Sequence, residues 1–362
     1  LHEDVYEVDF ASLYPRIICE ENISPDTVLC DCHPDRTTIP ELDYNVCAER
    51  GFLGDVLQPL LDDRAAIKDE LAAREDDAFE GNIPATDPDT HEGITVDLSA
   101  PADDLEAISG ALKWILVSCF GYQGYRNSKF GRIECHEAIN AVARDVLLTA
   151  KEAAEERGWR VVHGIVDSLW LTPVAEDAAP IEAVTETVSE AIGISLDLES
   201  RYDWVAFVPR SDAPGGALTR YFARRPDGGF KVRGIAARQR STPAFVESVQ
   251  RDLLDVVDET RDPQAVADEL RTAIGRLHAR QVDPANLVIR KRVSQSLAEY
   301  SQRTRTVAAL QRHRLRGVER HPGQDVRFVV VDDSAEGRER VRLHFEDVPD
   351  YDADFYATLL IR

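Results

Sequence analysis

The stretch that decides the fold is Asp9–Pro15 (DFASLYP), which closes an extended run from Val5 to Phe10. A second stretch, His163–Leu169 (HGIVDSL), lies between two further extended runs. Each stretch places an aspartate at a strand end or tight turn, where a side chain can be held rigidly against a metal ion. Two aspartates on neighbouring strands are the minimum needed to hold two Mg²⁺ ions for phosphoryl transfer.

A third stretch, Lys113–Gly121 (KWILVSCFG), lies between the first two. In order and spacing the three resemble the catalytic motifs of family B DNA polymerases. The first stretch matches the motif D-x-x-S-L-Y-P in full. The third resembles K-x-x-x-N-S-x-Y-G, with Val117 replacing asparagine and Phe120 replacing tyrosine. Of the remaining motif, Y-G-D-T-D-S, the chain keeps Gly164, Asp167 and Ser168.

The resemblance covers nearly the whole chain and implies an α+β fold, the polymerase right hand. It implies a palm built on an antiparallel sheet, a helical fingers hairpin and a mainly helical thumb. On this basis we expect palm at 1–50 and 121–240, fingers at 51–120 and thumb at 241–362. The first strand opens the chain and methionine is absent, so we expect a portion of a longer polypeptide.

Hydrophobic periodicity predicts the helices of the fingers. One helix is expected from Leu57 to about Glu80 and a second from about Asp103 to Phe120. The second helix should bury one stripe, formed by Leu105, Ile108, Leu112 and Ile115. Residues 75–104 are rich in Asp, Pro, Thr and Gly, and predict an exposed acidic tip rather than packed core.

Further along the chain, apolar spacing predicts a helix from about Glu137 to Arg157 that ends before Gly158. A hairpin around Asp167 should follow, and then a helix over 180–192. Strands are expected over 203–208 and 220–225. From Thr242 onward the pattern is helical.

The implied activity is template-directed DNA synthesis, a two-metal transfer of a nucleotide from a dNTP to a primer 3′-hydroxyl. Asp9 and Asp167, with the carbonyl of Phe10, are the expected ligands of two Mg²⁺ ions, with Mn²⁺ as a possible substitute. Ile165 stands where the family has a second aspartate, and Val117 removes a hydrogen bond near the nascent base pair. These two changes leave open a catalytically weakened or inactive DNA-binding subunit.

Arg64 and Lys68 lie four residues apart and therefore share one helical face, while Lys113 lies on the partner helix. The resemblance implies that these three cations hold the triphosphate of the incoming nucleotide, beside Ser12 and Leu13. Tyr14 is the expected steric gate that rejects a ribose 2′-hydroxyl. A ribonucleotide-using enzyme is an alternative that Tyr14 argues against.

The implied partners are primer–template DNA and dNTPs, with a sliding clamp as a further possibility. Ser118 and Gly121 should let the template strand approach closely. Expected contacts to the duplex are Arg220, Tyr221, Lys231, Arg233, Arg238 and Arg240. A second set of candidate phosphate contacts comprises Arg303, Arg305, Arg312, Arg314 and Arg316.

The charge is unusual for a protein that must hold a polyanion. The formal net charge is −24, where nucleic-acid binding favours a basic balance. Residues 1–200 carry −28 and residues 201–362 carry +4, so the basic excess lies in the part expected to grip DNA. The chain has six lysines against 36 arginines. With this acidity, that ratio is typical of a halophile, because an acidic surface keeps a protein soluble in high salt. An ordinary acidic protein of a mesophile is the alternative.

The cysteines give no standard metal-binding pattern. Cys30, Cys32, His33 and Cys47 offer a small metal site, a disulfide between Cys47 and Cys30 or Cys32 is a rival, and free thiols are the default. The chain shows neither a signal peptide nor an apolar stretch long enough to span a membrane. We therefore expect a cytoplasmic protein that does not associate with a membrane.

Overall fold

The computed structural model describes residues 1–80, 95–210 and 214–361. They form two compact units, which we call the N-terminal unit (His2–Tyr202) and the C-terminal unit (Asp203–Arg362, clustered with Leu1). The four-part functional division remains a prediction. Among the described helices, none combines the length and apolarity needed to cross a bilayer.

The N-terminal unit is built on antiparallel strands. They are β1 (His2–Phe10), β2 (Trp159–Ile165), β3 (Ser168–Pro173) and the first part of β4 (Leu196–Pro209), in the order β2-β3-β1-β4. The pairing of β1 with β3 sets Tyr6 opposite Leu171 and Asp9 opposite Ser168. The last residues of β1 therefore lie beside the turn that joins β2 to β3.

Five helices surround this sheet: α1 (Leu13–Glu20), α2 (Phe52–Glu80), α3 (Ala102–Gln123), α4 (Ile133–Glu155) and α5 (Ile181–Ile192). The predicted α4 buries Ile139, Val142, Val146 and Ala150 against the main core. It ends before Gly158, whose φ of +84° is a backbone conformation that glycine adopts without strain.

Helices α2 and α3 pack together through Ile67, Leu105 and Leu112. The predicted stripe on α3 is partly wrong. Leu116 is buried, whereas Ile108 and Ile115 are 36% and 52% exposed. The helix turns its apolar side towards both α2 and the main core, so a single stripe does not describe it.

The predicted acidic tip is also partly wrong. Helix α2 ends at Glu80, as predicted, but Val96, Leu98 and Ala100 are half-buried against the cluster between α2 and α3. Their alternation with Asp97 and Ser99 gives this segment one packed side, which polar composition alone conceals. The rest of the expected tip, 81–94, lies outside the described residues.

The C-terminal unit contains the rest of β4 with β5 (Gly216–Arg224) and β6 (Phe230–Arg233), in that order. Its helices are α6 (Ala244–Thr260), α7 (Pro263–His278), α8 (Arg305–Leu315) and α9 (Ala353–Ile361). They enclose a separate core that includes Leu277, Phe328 and Tyr356.

This unit also contains a second antiparallel sheet, which the sequence pattern did not predict. It has the order β7-β8-β9, formed by β7 (Ile289–Arg292), β8 (Asp325–Val330) and β9 (Val341–Leu343). The strands are three to six residues long. Segments this short carry too few alternations to stand out from the helical pattern around them.

Candidate active site

The end of β1 and the turn between β2 and β3 bring Asp9 and Asp167 together. The backbone N–H of Phe10 donates to the carbonyl of Asp167 at 2.9 Å. The hydroxyl of Ser168 donates to Oδ1 of Asp9 at 2.7 Å and lies 3.5 Å from Oδ1 of Asp167. The separation between Oδ1 of Asp9 and Oδ1 of Asp167 therefore cannot exceed the sum of these two distances.

The two carboxylates repel one another in a partly buried setting. Burial and the charge of Asp167 raise the pKa of Asp9 to about 6, against the hydrogen bond from Ser168. Burial also raises the pKa of Asp167, and the nearby charge of Lys113 opposes that rise. Such a pair is short of positive charge, and its oxygen donors suit a hard divalent cation. The residues therefore fit the Mg²⁺ ions that the sequence predicts.

The turn that carries Asp167 is strained. Val166 has a φ of +60° and is 48% exposed. A β-branched residue in this left-handed region costs about 1–3 kcal/mol. Ile165 pairs with Ser168 at the end of the hairpin, and its side chain offers no oxygen ligand. The turn therefore supplies one carboxylate, Asp167, and β1 supplies the other, Asp9.

The three cations expected to bind triphosphate lie on helices next to this pair. Arg64 on α2 donates from Nη1 to Oγ of Ser12 at 3.0 Å, and burial lowers its pKa. Lys68, one turn later, pairs with Asp197 at 3.6 Å with both side chains about half exposed. Lys113 on α3 is exposed, and its charge reaches Asp167.

Tyr14 lies in a stack of three rings. Its ring is 4.1 Å from that of Phe120 at 14° between planes, and Phe120 lies 4.4 Å from His136 at 19°. Burial and the nearby charge of Asp167 raise the pKa of Tyr14. Leu13, next to it, is buried in the core.

Two residues that support this site were not among the predicted site residues. His136 completes the ring stack, and Ser168 supplies the hydroxyl between the carboxylates. A Cβ added to Gly124 would lie 2.8 Å from Cδ2 of His136. Local sequence could not predict the stack, because Phe120 and His136 lie on different helices. Ser168 was quoted as part of a motif, but its pairing with Asp9 depends on strand register.

The two positions expected near the template are open. Ser118 is exposed, and its hydroxyl donates to the carbonyl of Ile115 at 2.7 Å. A Cβ built on Gly121 meets no atom within 4 Å. The described structure therefore gives no packing reason for glycine at this position.

In the C-terminal unit, the expected DNA contacts do not form one face. Strand β6 pairs Arg233 with Tyr221 and Lys231 with Ala223. Directly paired residues share a face, and successive residues along a strand lie on opposite faces. Arg220 therefore lies on the face opposite Lys231 and Arg233. Tyr221 is buried against Phe207, so its ring belongs to the core.

The other expected DNA contacts differ in the interactions that their side chains already make within the protein. Arg238 and Arg240 are exposed, and Arg238 donates to the carbonyl of Val232 at 3.4 Å. In the second arginine set, Arg305 pairs with Asp333, while Arg312 and Arg316 both pair with Glu346. Those three guanidinium groups already have carboxylate partners and serve the packing of this unit.

The chain is similar to known DNA polymerases. The model of DNA polymerase family B matches residues 1–83. DNA polymerase 2 of Saccharolobus solfataricus is 32% identical over 257 residues, which cover 70% of this chain and 33% of that protein. DNA polymerase 2 of Aeropyrum pernix is 26% identical over 362 residues, which cover 98% of this chain and 41% of that protein.

Among solved structures, the family B DNA polymerase of Pyrobaculum calidifontis has the same fold, with a TM-score of 0.66 and 24% identity. The match covers 99% of this chain and 44% of that one. The chain thus spans less than half the length of the curated relatives named above. Family model, archaeal relatives and shared fold together support the assignment of this chain to family B of the DNA polymerases.

Proposed function

We propose that this chain carries the catalytic portion of a DNA-directed DNA polymerase, which adds a nucleotide from a dNTP to a primer 3′-hydroxyl. One observation carries the proposal: Asp9 and Asp167 flank the hydroxyl of Ser168 beside cations from two helices. Paired carboxylates next to several cations suit a reaction that binds metal and triphosphate together.

Asp9, Asp167 and the carbonyl of Phe10 would hold two Mg²⁺ ions, or Mn²⁺ in their place. When bound, the ions make the primer hydroxyl more acidic and neutralise charge on the pyrophosphate leaving group. Ser168 holds one oxygen of Asp9 in place by hydrogen bonding. Lys113 supplies positive charge on the side of Asp167.

Arg64, Lys68 and Lys113 would bind the triphosphate. Arg64 donates one hydrogen bond to Ser12. Its guanidinium group has further N–H donors for phosphate oxygens. The ion pair of Lys68 with Asp197 is half exposed, and an exposed pair is worth about 0–1 kcal/mol. An incoming phosphate therefore displaces Asp197 at little cost.

Tyr14 would select the deoxyribose. The stack on Phe120 and His136 fixes the plane of its ring. A ring that cannot turn aside excludes a substituent by shape. A ribose 2′-hydroxyl would collide with it.

Primer–template DNA would contact Ser118 and Gly121 in the N-terminal unit. In the C-terminal unit it would contact Lys231 and Arg233 on one face of the β5–β6 hairpin, or Arg220 on the other. Arg238 and Arg240 follow the hairpin. A sliding clamp is proposed from the family alone, and no residue is assigned to it.

The alternative is a subunit that binds DNA without catalysis, suggested by Ile165 and Val117. The retained carboxylate pair and relatives named as DNA polymerases favour an active enzyme. Low activity would follow from the reduced ligand set, while complete loss would require that Asp9 and Asp167 cannot hold the ions.

Primer extension in high salt with Mg²⁺ tests the proposal. We expect extension by the unaltered protein and its loss in Asp9→Asn and Asp167→Asn, which keep side-chain shape. Asp4→Asn is the matched control, because Asp4 lies on the same strand and pairs with Arg201 away from the turn. Absence of extension by the unaltered protein, with primer–template binding intact, would establish the inactive subunit instead.

A further inference from the structure

Four soft ligands converge in the loop between α1 and α2. They are Cys30, Cys32, His33 and Cys47, and their ligand atoms all lie within 4.8 Å of one another. The Sγ atoms of Cys32 and Cys47 are 3.5 Å apart. Nδ1 of His33 lies 3.5 Å from Sγ of Cys47 and 3.9 Å from Sγ of Cys30.

These separations match the edges of a tetrahedral zinc site. With Zn–S near 2.3 Å and Zn–N near 2.0–2.1 Å, a regular tetrahedron has S···S edges of about 3.8 Å and S···N edges of about 3.6 Å. These three distances depart from those edges by a few tenths of an ångström, in both directions. Small adjustments of the side chains would complete the coordination shell.

The backbone holds the ligands near one another without a metal. Val28 pairs with Val46 in an isolated bridge, and the N–H of Cys47 donates to the carbonyl of Thr27 at 2.9 Å. Both valines are buried in the main core. This pairing brings Cys47 beside Cys30 although 17 positions separate them in the sequence.

A buried amide braces the same group. Nδ2 of Asn45 donates to the carbonyls of Cys30 and His33 at 2.8 and 2.7 Å and lies 3.5 Å from Sγ of Cys30. Asn45 is only 8% exposed. An amide that fixes the backbone of two ligand residues by hydrogen bonding is the kind of outer contact that orients metal ligands.

We propose that Cys30, Cys32, His33 and Cys47 bind one Zn²⁺ ion in a closed, structural Cys₃His site. Three thiolates and one imidazole prefer zinc, whereas the oxygen ligands at Asp9 and Asp167 prefer Mg²⁺. The ligand set leaves no open position for substrate, so this ion has no part in the chemistry. The proposal does not depend on polymerase activity.

The zinc would fix the segment that joins α1 to α2. The same loop is anchored on α4, where the hydroxyl of Tyr44 donates to Oε2 of Glu137 at 2.6 Å and Arg144 pairs with Glu41. Helix α1 follows the motif that contains Asp9, and α2 carries Arg64. A metal clip here would therefore stabilise the connection between the carboxylates and the triphosphate-binding helix.

A disulfide between Cys32 and Cys47 is the rival use of these thiols. It would consume two of the four ligands and leave Cys30 and His33 without a metal. Mass measurement after alkylation under non-reducing conditions separates the two states, because a disulfide protects two cysteines from the reagent. That result in freshly purified protein, without bound zinc, would overturn the proposal.

The test uses the whole chain, reduced and free of DNA and nucleotide. We expect one tightly bound Zn²⁺ per chain, and a cobalt-substituted form with the intense visible bands of tetrahedral Co²⁺ and a thiolate charge-transfer band. X-ray absorption at the zinc edge should show three sulfurs and one nitrogen. Failure to bind zinc under reducing conditions, or a different ligand set, would refute the site.

Variants identify the ligands. Cys32 is exposed, so Cys32→Ser should leave packing intact while it weakens zinc binding by at least about 100-fold, since ligand loss exceeds the 10–100-fold effect of an outer contact. Cys119→Ser is the matched control, because Cys119 lies on α3 outside the cluster, and its zinc content should stay at one. Unchanged zinc affinity in Cys32→Ser would contradict the assignment, and the cobalt spectrum of the unaltered chain decides the point if the variant misfolds.

Discussion

Ser168 donates its hydroxyl to the carboxylate of Asp9 at 2.7 Å, and β-strand pairing sets the two residues directly opposite one another. The same hydroxyl lies 3.5 Å from Asp167. Both carboxylates thus lie close to the hydroxyl of Ser168, which belongs to the β2–β3 hairpin. The register of two strands, rather than the flexibility of a loop, determines the shape of the proposed metal site.

Ser168→Ala should weaken catalysis through metal binding. Without the donor, one oxygen of Asp9 loses its orientation, and loss of such a supporting hydrogen bond costs about 10–100-fold in metal affinity or activity. Extension rates measured against Mg²⁺ concentration should show half-maximal activity displaced to higher Mg²⁺. Primer–template affinity should stay constant, and an unchanged Mg²⁺ requirement would show that Ser168 does not position the carboxylate.

Tyr14→Val should relax the choice of sugar. Removal of the ring opens the space beneath the ribose, and the ratio of ribonucleotide to deoxynucleotide incorporation should rise at least about tenfold, the usual scale for steric discrimination in a pocket. Tyr14→Phe is the control, because it retains the stack on Phe120 and removes the hydroxyl alone. Equal ratios in Tyr14→Val and the unaltered enzyme would remove Tyr14 from the role of gate.

Gly121→Ala separates stability from DNA contact. A Cβ there meets no atom within 4 Å, and the same is true of Gly110 on the same helix. Alanine in place of glycine inside a helix adds about 1 kcal/mol to the free energy of unfolding, so both variants should be more stable by urea denaturation. Only Gly121→Ala should weaken primer–template binding. An equal DNA affinity in the two variants would argue that the template strand passes elsewhere.

Acidic pH should lower the free energy of unfolding of the C-terminal unit, because it protonates Glu346. Burial alone would raise the pKa of Glu346, but hydrogen bonds from Arg312, Arg316 and the backbone of Leu343 lower it from 4.5 to about 2. Because the folded pKa lies below the unfolded value, the stabilisation is complete above about pH 4.5 and disappears as the pH falls towards 2. A shift of this size corresponds to about 3 kcal/mol.

Glu346→Gln should therefore lower the free energy of unfolding near neutral pH, and the deficit should shrink as the pH falls below 4.5. Glu339→Gln is a matched control, since Glu339 also contacts Arg312 but is 55% exposed. Its loss should cost no more than about 1 kcal/mol. A deficit for Glu346→Gln that is constant from pH 7 to pH 3 would contradict the charge-based account.

The sequence predicts those elements of the fold that depend on residues close together in the chain. The run DFASLYP, the apolar spacing of α4 and the hairpin around Asp167 depend on neighbouring residues, and each element was found where the pattern predicted it. The loss of Ile115 from the buried stripe could not be predicted, because α3 contacts two different partners along its length. The short strands β7 to β9 are defined by their pairing more than by their composition.

The cysteine cluster shows the same limit at a possible site. Cys30, Cys32 and His33 are close in sequence, but the fourth ligand is brought in by the bridge between Val28 and Val46. Spacing rules for zinc motifs assume two short pairs of ligands on turns. A ligand set assembled by a long loop does not obey them. The sequence therefore offers a metal site only as an alternative to a disulfide or free thiols, and the folded arrangement favours metal binding.

The partners Asp9 and Ser168 are 159 positions apart in the chain, and this separation has a consequence for folding. Non-local strand pairing forms late, because the entropy of closing a long loop must first be overcome. During synthesis, a nascent chain that stopped before Trp159 would contain the complete first motif yet no catalytic centre. The capacity for chemistry would therefore arise only when the β2–β3 hairpin pairs with β1.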